Sequence, residues 1–113
     1  MRDLVVAGGG PVGLAAALPA HRAGLSVVVR EPRTGPIDKA CGEGLMPGAV
    51  AELAALGIHP HGRELTGIRY LDGTAEGEGA TARFARGPGR GVRRTVLHDA
   101  LADQPAHGGV QAV

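Results

Sequence analysis

The sequence has few of the residues that usually fill a protein core or cross-link it. Among its 113 residues there is no tryptophan, and Tyr70 and Phe84 are the only aromatic side chains. Aliphatic residues and alanine must therefore fill the interior, and because small side chains bury little area we expect marginal stability. Cys41 is the single cysteine, which excludes an intramolecular disulfide and favours a reducing, cytoplasmic location.

Long apolar runs and a strong charge of either sign are also missing. The N-terminal apolar run is short and broken by glycines, unlike a signal peptide. No segment approaches the ~20 apolar residues of a membrane span. A net charge of +1 gives no general attraction to nucleic acid. The arginines from Arg83 to Arg94 have Phe84 alone as an aromatic stacking partner, which is thin support for RNA binding. We expect no membrane span, no nucleic-acid partner and, since His59 and His61 have no carboxylate or thiol at ligand spacing, no metal.

The strongest pattern lies in residues 4–31. A short apolar run, Leu4–Ala7, is typical of a buried parallel strand. Glycines in the order G-x-G-x-x-G follow at once, and then a helix-forming segment (Leu14–Ala23) and a second apolar run (Leu25–Val29). This order predicts a βαβ unit.

Each glycine of the motif and several of its neighbours have a physical role in the predicted turn. Gly8 permits a sharp turn out of the strand, Gly10 leaves no Cβ between the backbone and a pyrophosphate, and Gly13 lets the helix pack close to the strand. The first helical turn offers N–H groups and the positive end of the helix dipole to phosphate, and Pro11 loses little there. Glu31 follows about 20 residues later, where a carboxylate binds ribose hydroxyls. The pattern predicts dinucleotide binding; the alternative is a glycine-rich turn in an unrelated α/β protein.

Pro19 interrupts this pattern inside the predicted helix. A proline there removes the hydrogen bond to the Ala15 carbonyl, at a cost of roughly 3 kcal/mol. We expect the helix to kink at Pro19 or to end early.

The remaining chain predicts alternating short elements. Residues 31–46 read as a loop, Pro47–Leu56 as a helix capped by Gly57, Leu65–Leu71 as a strand with Thr81–Ala85 returning, and 87–91 as a loop. Thr95 is expected to cap a helix that starts near Val96 and ends at residues 107–109, before an apolar strand at 110–113. We interpret this as the front of a doubly wound α/β domain, and a truncated product is favoured over a minimal binder.

Three stretches resemble the FAD-dependent monooxygenases and geranylgeranyl-reductase-like flavoproteins of the para-hydroxybenzoate-hydroxylase fold. They are Val5-Val-Ala-Gly-Gly-Gly-Pro-Val-Gly13 with Glu31, Asp38-Lys-Ala-Cys-Gly-Glu-Gly-Leu-Met-Pro47, and Gly91-Val-Arg-Arg-Thr-Val-Leu-His-Asp-Ala-Leu101. Many protein families share the first motif. The second stretch is more specific, and it is similar to the Cys-Gly-x-Gly-Leu loop of the reductase-like branch. The implied fold is a Rossmann-like βαβ FAD-binding domain, incomplete and with the start of a substrate-side sheet.

The resemblance also implies roles for individual residues. Backbone groups of the glycine turn would receive the FAD pyrophosphate, Glu31 would hold the adenosine ribose, Arg94 would lie near the cofactor, and the Cys41–Leu45 loop near the flavin; the turn residues are Gly8, Gly10, Pro11, Val12 and Gly13. Cys41 is a weak candidate for a catalytic thiol and equally an ordinary loop residue. Residues 1–113 would form one N-terminal part of an FAD-binding domain, with the fingerprint at 4–31, a flavin-side loop and helix at 32–57, a β-rich insertion at 65–92, and a helix and next strand at 93–113.

Three functions follow from the resemblance and the chain length. A complete enzyme would use NAD(P)H and oxygen to hydroxylate a small organic substrate, or would reduce a prenyl-type double bond. Alternatively, the chain is a remnant that binds an adenine dinucleotide without catalysis, since the family's later flavin-site motifs are absent from it. An NAD-binding half of a dehydrogenase is disfavoured by the Cys41 loop, and the sequence indicates no oligomeric state.

Overall fold

A computed structural model of the chain describes residues 1–34, 38, 43–74, 79–104 and 111–112. Within these residues the elements are, in chain order, β1 (Leu4–Ala7), α1 (Pro11–Arg22), β2 (Val27–Arg30), β3 (Gly44–Leu45), α2 (Pro47–Ala55), β4 (Arg63–Leu65), β5 (Gly67–Arg69), β6 (Thr81–Arg83), β7 (Gly89–Gly91), α3 (Arg94–Ala102) and β8 (Gln111–Ala112). They form two compact units: unit 1 comprises Met1–Cys41 and Arg93–Val113, and unit 2 comprises Gly42–Val92.

Unit 1 contains a parallel sheet with the strand order β1-β2-β8. Val5 lies opposite Val28, which in turn lies opposite Gln111. The predicted strands at both ends of the chain and the predicted βαβ unit are confirmed. The second strand begins at Val27 rather than Leu25, whose side chain is exposed.

The core of unit 1 lies where α1 packs on the sheet. Ala17, Val27 and Val29 form a buried cluster, with Leu4 and Val6 of β1 packed against it. Because Ala17 is small and fully buried, α1 can approach the strands closely. This packing holds the N-terminus of α1 beside the ends of β1 and β2.

The early end of α1 expected at Pro19 is wrong, since the helix continues to Arg22. The Pro19 ring is exposed, whereas Leu14, Ala17 and Leu18 on the same helix are buried. Burial of these side chains offsets the lost hydrogen bond. The Pro19 carbonyl still accepts the Ala23 N–H at 2.9 Å, so the last turn is closed.

The predicted start of α3 is also corrected. Arg93, in an extended conformation, precedes the helix, and Thr95 is its second residue rather than its cap. The Arg93 carbonyl accepts the Leu97 N–H at 3.0 Å, and this places Leu97 and Leu101 on the buried face. The end predicted at residues 107–109 lies outside the described residues, and α3 as described ends at Ala102.

Unit 2 is built from short antiparallel strands and one helix. One sheet has the order β3-β7-β4, and β5 pairs with β6 in a second. The predicted helix α2 is confirmed, and Gly57, with a φ of +78°, follows its end as expected. The Ile58 N–H then donates to the Leu53 carbonyl at 2.9 Å, which closes the helix end.

Three strand predictions in unit 2 need correction, and one is confirmed. The single strand expected over Leu65–Leu71 is two strands, β4 and β5, separated at Thr66. The loop expected at 87–91 contains β7, and the loop expected at 31–46 contains β3. A Cβ on Gly89 would overlap the Leu45 carbonyl, so glycine permits the close pairing of these strands. The returning strand is confirmed, because Thr81–Arg83 pairs with β5.

Candidate functional site

An open pocket of about 360 Å³ lies in unit 1, at the N-terminus of α1. All seven residues predicted to bind the cofactor line it, namely Gly8, Gly10, Pro11, Val12, Gly13, Glu31 and Arg94. Val6, Ala7, Ala16 and Arg33 complete the lining. The fold therefore brings the glycine turn, the acidic residue and Arg94 together.

The glycine turn has the backbone geometry that its sequence predicts. Gly8 has a φ of +107°, a conformation that favours glycine, and its N–H donates to the Arg30 carbonyl at 2.9 Å. A Cβ on Gly13 would overlap the Gly8 carbonyl and lie 3.2 Å from Val6 Cγ1. Gly8 thus forms the turn, and Gly13 permits the close packing of helix on strand.

The first turn of α1 presents backbone N–H groups to the pocket. The first intrahelical hydrogen bond runs from the Leu14 N–H to the Gly10 carbonyl at 3.0 Å, and the N–H groups of Val12 and Gly13 precede it. The Val12 side chain is 85% exposed, so this residue contributes its backbone to the pocket. The N-terminal N–H groups and the helix dipole together favour an anion here.

Glu31 is held at the end of β2 by four donors. Its Oε2 accepts the Gly9 N–H at 3.0 Å and Arg33 Nη2 at 3.2 Å. Its Oε1 accepts the Arg33 N–H at 2.9 Å and Arg33 Nε at 2.8 Å. The hydrogen bonds from the Arg33 side chain, then those from the backbone of Arg33 and Gly9, lower the pKa of Glu31 to about 2. Glu31 is therefore a carboxylate at any physiological pH.

Arg94 brings a guanidinium to the glycine turn. It is the first residue of α3 and is half-buried. Its Nη2 lies 3.6 Å from the position that a Cβ on Gly10 would occupy. Arg33, the other arginine in the pocket lining, is paired with the Glu31 carboxylate. The Arg94 guanidinium beside a helix N-terminus suits a ligand that carries phosphate charge.

The pocket residues fit the ADP half of FAD. A pyrophosphate needs backbone N–H groups, nearby cations and a surface without Cβ atoms, and Val12, Gly13, Arg94 and Gly10 supply these features. Adenosine ribose needs a carboxylate acceptor, which Glu31 supplies.

Two residues of this site escaped sequence reasoning. Gly9 stood in a variable position of the motif, yet it is buried, and a Cβ on it would lie 2.8 Å from Glu31 Cβ. Arg33 was read as part of a loop, although its position two residues after Glu31 was a signal that the two side chains can form an ion pair.

Other candidates from the sequence have different outcomes. Cys41 lies outside the described residues. Arg90, in the loop predicted at 87–91, is half-buried in β7 and donates to the Pro60 carbonyl at 3.1 Å. In the part of the chain that the structure describes, His, Cys, Asp and Glu side chains form no metal-binding group. None of the helices in that part is long and apolar enough to cross a bilayer.

Curated relatives match parts of this chain. A menaquinone reductase of Mycolicibacterium smegmatis is 51% identical in an alignment 74 residues long, which covers 58% of this chain and 18% of the reductase. A menaquinone reductase of Mycobacterium tuberculosis is 57% identical over 56 residues, which are 50% of this chain and 14% of the reductase. No family model matches the chain. The chain thus spans less than a fifth of the length of these relatives.

Solved structures match the whole chain. The p-nitrophenol 4-monooxygenase of Pseudomonas putida is 24% identical with a TM-score of 0.80, covering 100% of this chain and 31% of its own. The myxobacterial chondrochloren halogenase, an FAD-dependent halogenase, is 27% identical with a TM-score of 0.79. The match covers 98% of this chain and 28% of the halogenase. The resemblance seen in the sequence is confirmed at the level of the fold. The chain has the fold of the N-terminal portion of the FAD-dependent monooxygenases and halogenases of the para-hydroxybenzoate-hydroxylase type.

Proposed function

We propose that this chain binds FAD through the ADP half of the cofactor, as the N-terminal segment of a flavin-dependent oxidoreductase. The observation that carries the proposal is the convergence of the glycine turn, Glu31 and Arg94 on one pocket. Backbone groups of Gly8, Gly10, Pro11, Val12 and Gly13 receive the pyrophosphate, and the Glu31 carboxylate accepts ribose hydroxyls. Arg94 offsets phosphate charge from beside Gly10.

The chemistry of the complete enzyme is a two-electron redox reaction that bound FAD supplies, while the protein positions the cofactor. NAD(P)H is the proposed reductant and a small organic molecule the proposed substrate. Between the two reaction classes predicted from the sequence, the prenyl-type double-bond reductase is favoured over oxygen insertion. The menaquinone reductases are 51% and 57% identical to parts of this chain, whereas the monooxygenases and halogenases are 20–27% identical.

Binding without catalysis is the second candidate function for the chain taken alone. The observation that supports this candidate is the partial coverage of the known enzymes: the chain covers 14–18% of the menaquinone reductases and about 30% of the solved flavoenzymes. A reducing, cytoplasmic location belongs to the same proposal and rests on the single cysteine.

The decisive test is the visible absorbance spectrum of the purified protein, before and after addition of FAD and gel filtration. We expect a flavin spectrum that co-elutes with the protein and that is lost in Gly10→Val. Circular dichroism of the variant shows whether the fold is kept, and Gly48→Ala in α2 serves as a control substitution of a glycine outside the pocket. Colourless wild-type protein after incubation with excess FAD would refute the proposal.

The reaction class is tested on the FAD-loaded protein with NADH or NADPH. Reduction of a prenyl double bond under anaerobic conditions supports the reductase, and a hydroxylated product that requires oxygen supports the monooxygenase. If the protein binds FAD but catalyses neither reaction, the function of the chain is cofactor binding alone.

A further inference from the structure

Arg33 occupies the part of the pocket that the proposed function gives to the ribose. An ionised carboxylate has about four acceptor positions, two on each oxygen. In this structure four N–H donors fill those of Glu31, and three of the four come from Arg33. The hydroxyls of a ribose therefore compete with donors that are already in place.

The two backbone donors and the two guanidinium donors differ in how easily they can move away from the Glu31 carboxylate. The N–H groups of Gly9 and Arg33 belong to the turn and to the chain after β2, so they remain where the fold holds them. The guanidinium is attached to a flexible side chain that is 52% exposed, whereas the Glu31 side chain is 9% exposed. Only the guanidinium can move into solvent while the carboxylate stays in the pocket.

We infer that Arg33 is an internal competitor for the ribose subsite, and that an adenine nucleotide must displace its guanidinium from Glu31 before the ribose hydroxyls can bind the carboxylate. This inference rests on the proposed function and names a specificity-determining residue for it. Arg33 presents a fork of N–H donors at 2.8 and 3.2 Å to both carboxylate oxygens. A vicinal diol presents two O–H donors to the same two oxygens, so the two partners exclude each other.

The cost of displacement sets how much the competitor weakens binding. Exposed ion pairs contribute little to stability, and replacing the pair by two ribose hydrogen bonds restores the acceptors. Removing the competitor is therefore expected to tighten nucleotide binding by about two- to fivefold. If Arg33 served instead as a cation for the phosphates, its removal would weaken binding.

The test is isothermal titration calorimetry with ADP and with its dideoxy analogue, which lacks both ribose hydroxyls. For Arg33→Ala we expect ADP to bind about two- to fivefold more tightly than to wild type, and the dideoxy analogue to gain nothing. The Arg33→Lys variant cannot form the fork of N–H donors, so its ADP affinity should lie between those of wild type and Arg33→Ala. Arg86→Ala removes an exposed charge in unit 2 and is the matched control.

The outcomes separate the two proposals. Weaker or unchanged ADP binding by Arg33→Ala, or an equal gain for both ligands, overturns the role of Arg33 while leaving nucleotide binding intact. No ADP binding by wild type or by either Arg33 variant refutes the proposed function, and this inference falls with it.

A second readout uses the wild-type protein and so does not depend on the folding of a variant. The Arg33 Nε–H resonance, observed by NMR, should shift on addition of ADP and should not shift with the dideoxy analogue. A resonance that ADP leaves unchanged at saturation would overturn the inference.

Discussion

Gly9 donates its backbone N–H to Glu31 Oε2 at 3.0 Å, although the two residues are 22 positions apart in the chain. A Cβ on Gly9 would lie 2.8 Å from Glu31 Cβ, so the two backbones approach closely. The turn after β1 and the residue after β2 are thereby fixed to each other. Together with the hydrogen bond from the Gly8 N–H to the Arg30 carbonyl, this contact couples the geometry of the proposed phosphate subsite to that of the proposed ribose subsite.

Gly9→Ala is expected to displace Glu31 and to weaken nucleotide binding. The new methyl group would overlap the Cβ of Glu31, which is attached directly to the backbone and cannot rotate away. We expect a loss of about 1–3 kcal/mol in the free energy of unfolding, as for other overpacked sites, measured by urea denaturation. The control is Gly48→Ala, since no described atom lies within 4 Å of the Cβ position built on Gly48. Equal stability of both variants would contradict the contact.

Gly10 and Gly13 should separate binding from folding. A Cβ on Gly10 would make only an ordinary contact with Arg94 Nη2 at 3.6 Å, so Gly10→Ala should cost a few tenths of a kcal/mol at this helix start. It should nevertheless reduce FAD affinity by about tenfold or more, because the methyl group occupies the approach of the pyrophosphate. Gly13→Ala should instead lower the unfolding free energy by about 1–3 kcal/mol or more, because its Cβ overlaps the Gly8 carbonyl. Loss of folding in Gly10→Ala would contradict this assignment.

Glu31 should make stability depend on pH in the acid range. Its pKa in the folded protein is about 2, below the value of roughly 4.3 for a glutamate in an unfolded chain. The carboxylate therefore contributes its full stabilisation above about pH 5 and loses it as the pH falls from about 4.5 towards 2. The difference in unfolding free energy between wild type and Glu31→Gln should shrink across this window. Arg33→Ala removes the largest cause of the low pKa in the folded protein and should raise the lower end of this window, so that the pH dependence becomes narrower and smaller. An unchanged lower end would show that Arg33 does not hold Glu31 in solution.

Arg94→Gln should lower nucleotide affinity with little effect on folding. The guanidinium lies beside Gly10, where it can form charge-assisted hydrogen bonds with phosphate, and their loss corresponds to about tenfold in affinity. Titration calorimetry with ADP at two salt concentrations would also show a weaker salt dependence in the variant. Arg93→Gln changes the exposed neighbouring arginine and is the matched control. Equal effects of both substitutions would point to net charge rather than to the position of Arg94.

The βαβ unit was predictable because its signals are local. The apolar run of β1, the spacing of the glycines and the position of Glu31 all depend on residues within one supersecondary motif, and the structure brings them into one pocket. The hydrogen-bond partners of Glu31 were not predictable, because Arg33 can adopt many rotamers and only the folded turn shows which donors reach the carboxylate.

The short strands of unit 2 were harder to predict for a different reason. β3 and β7 are rich in glycine, which has a low strand propensity, and each becomes a strand only through its distant partner, as in the pairing of Gly44 with Gly91. Likewise, the capping preference of Thr95 predicted the wrong helix start, because the Arg93 carbonyl already accepts the Leu97 N–H and Thr95 lies inside the first turn of α3.

The pairing of Gly44 with Gly91 has a consequence for the order of folding. Unit 2 is continuous in sequence, whereas unit 1 is assembled from two segments separated by all of unit 2. When β3 pairs with β7, and the Val92 N–H bonds to the Glu43 carbonyl at 2.7 Å, the two ends of unit 2 become neighbours. A loop of roughly fifty residues is then closed in advance, which spares unit 1 about 3–4 kcal/mol of chain entropy. We therefore expect unit 2 to fold early and to act as a folding nucleus. Its formation lowers the entropic cost of pairing α3 and β8 with the βαβ unit.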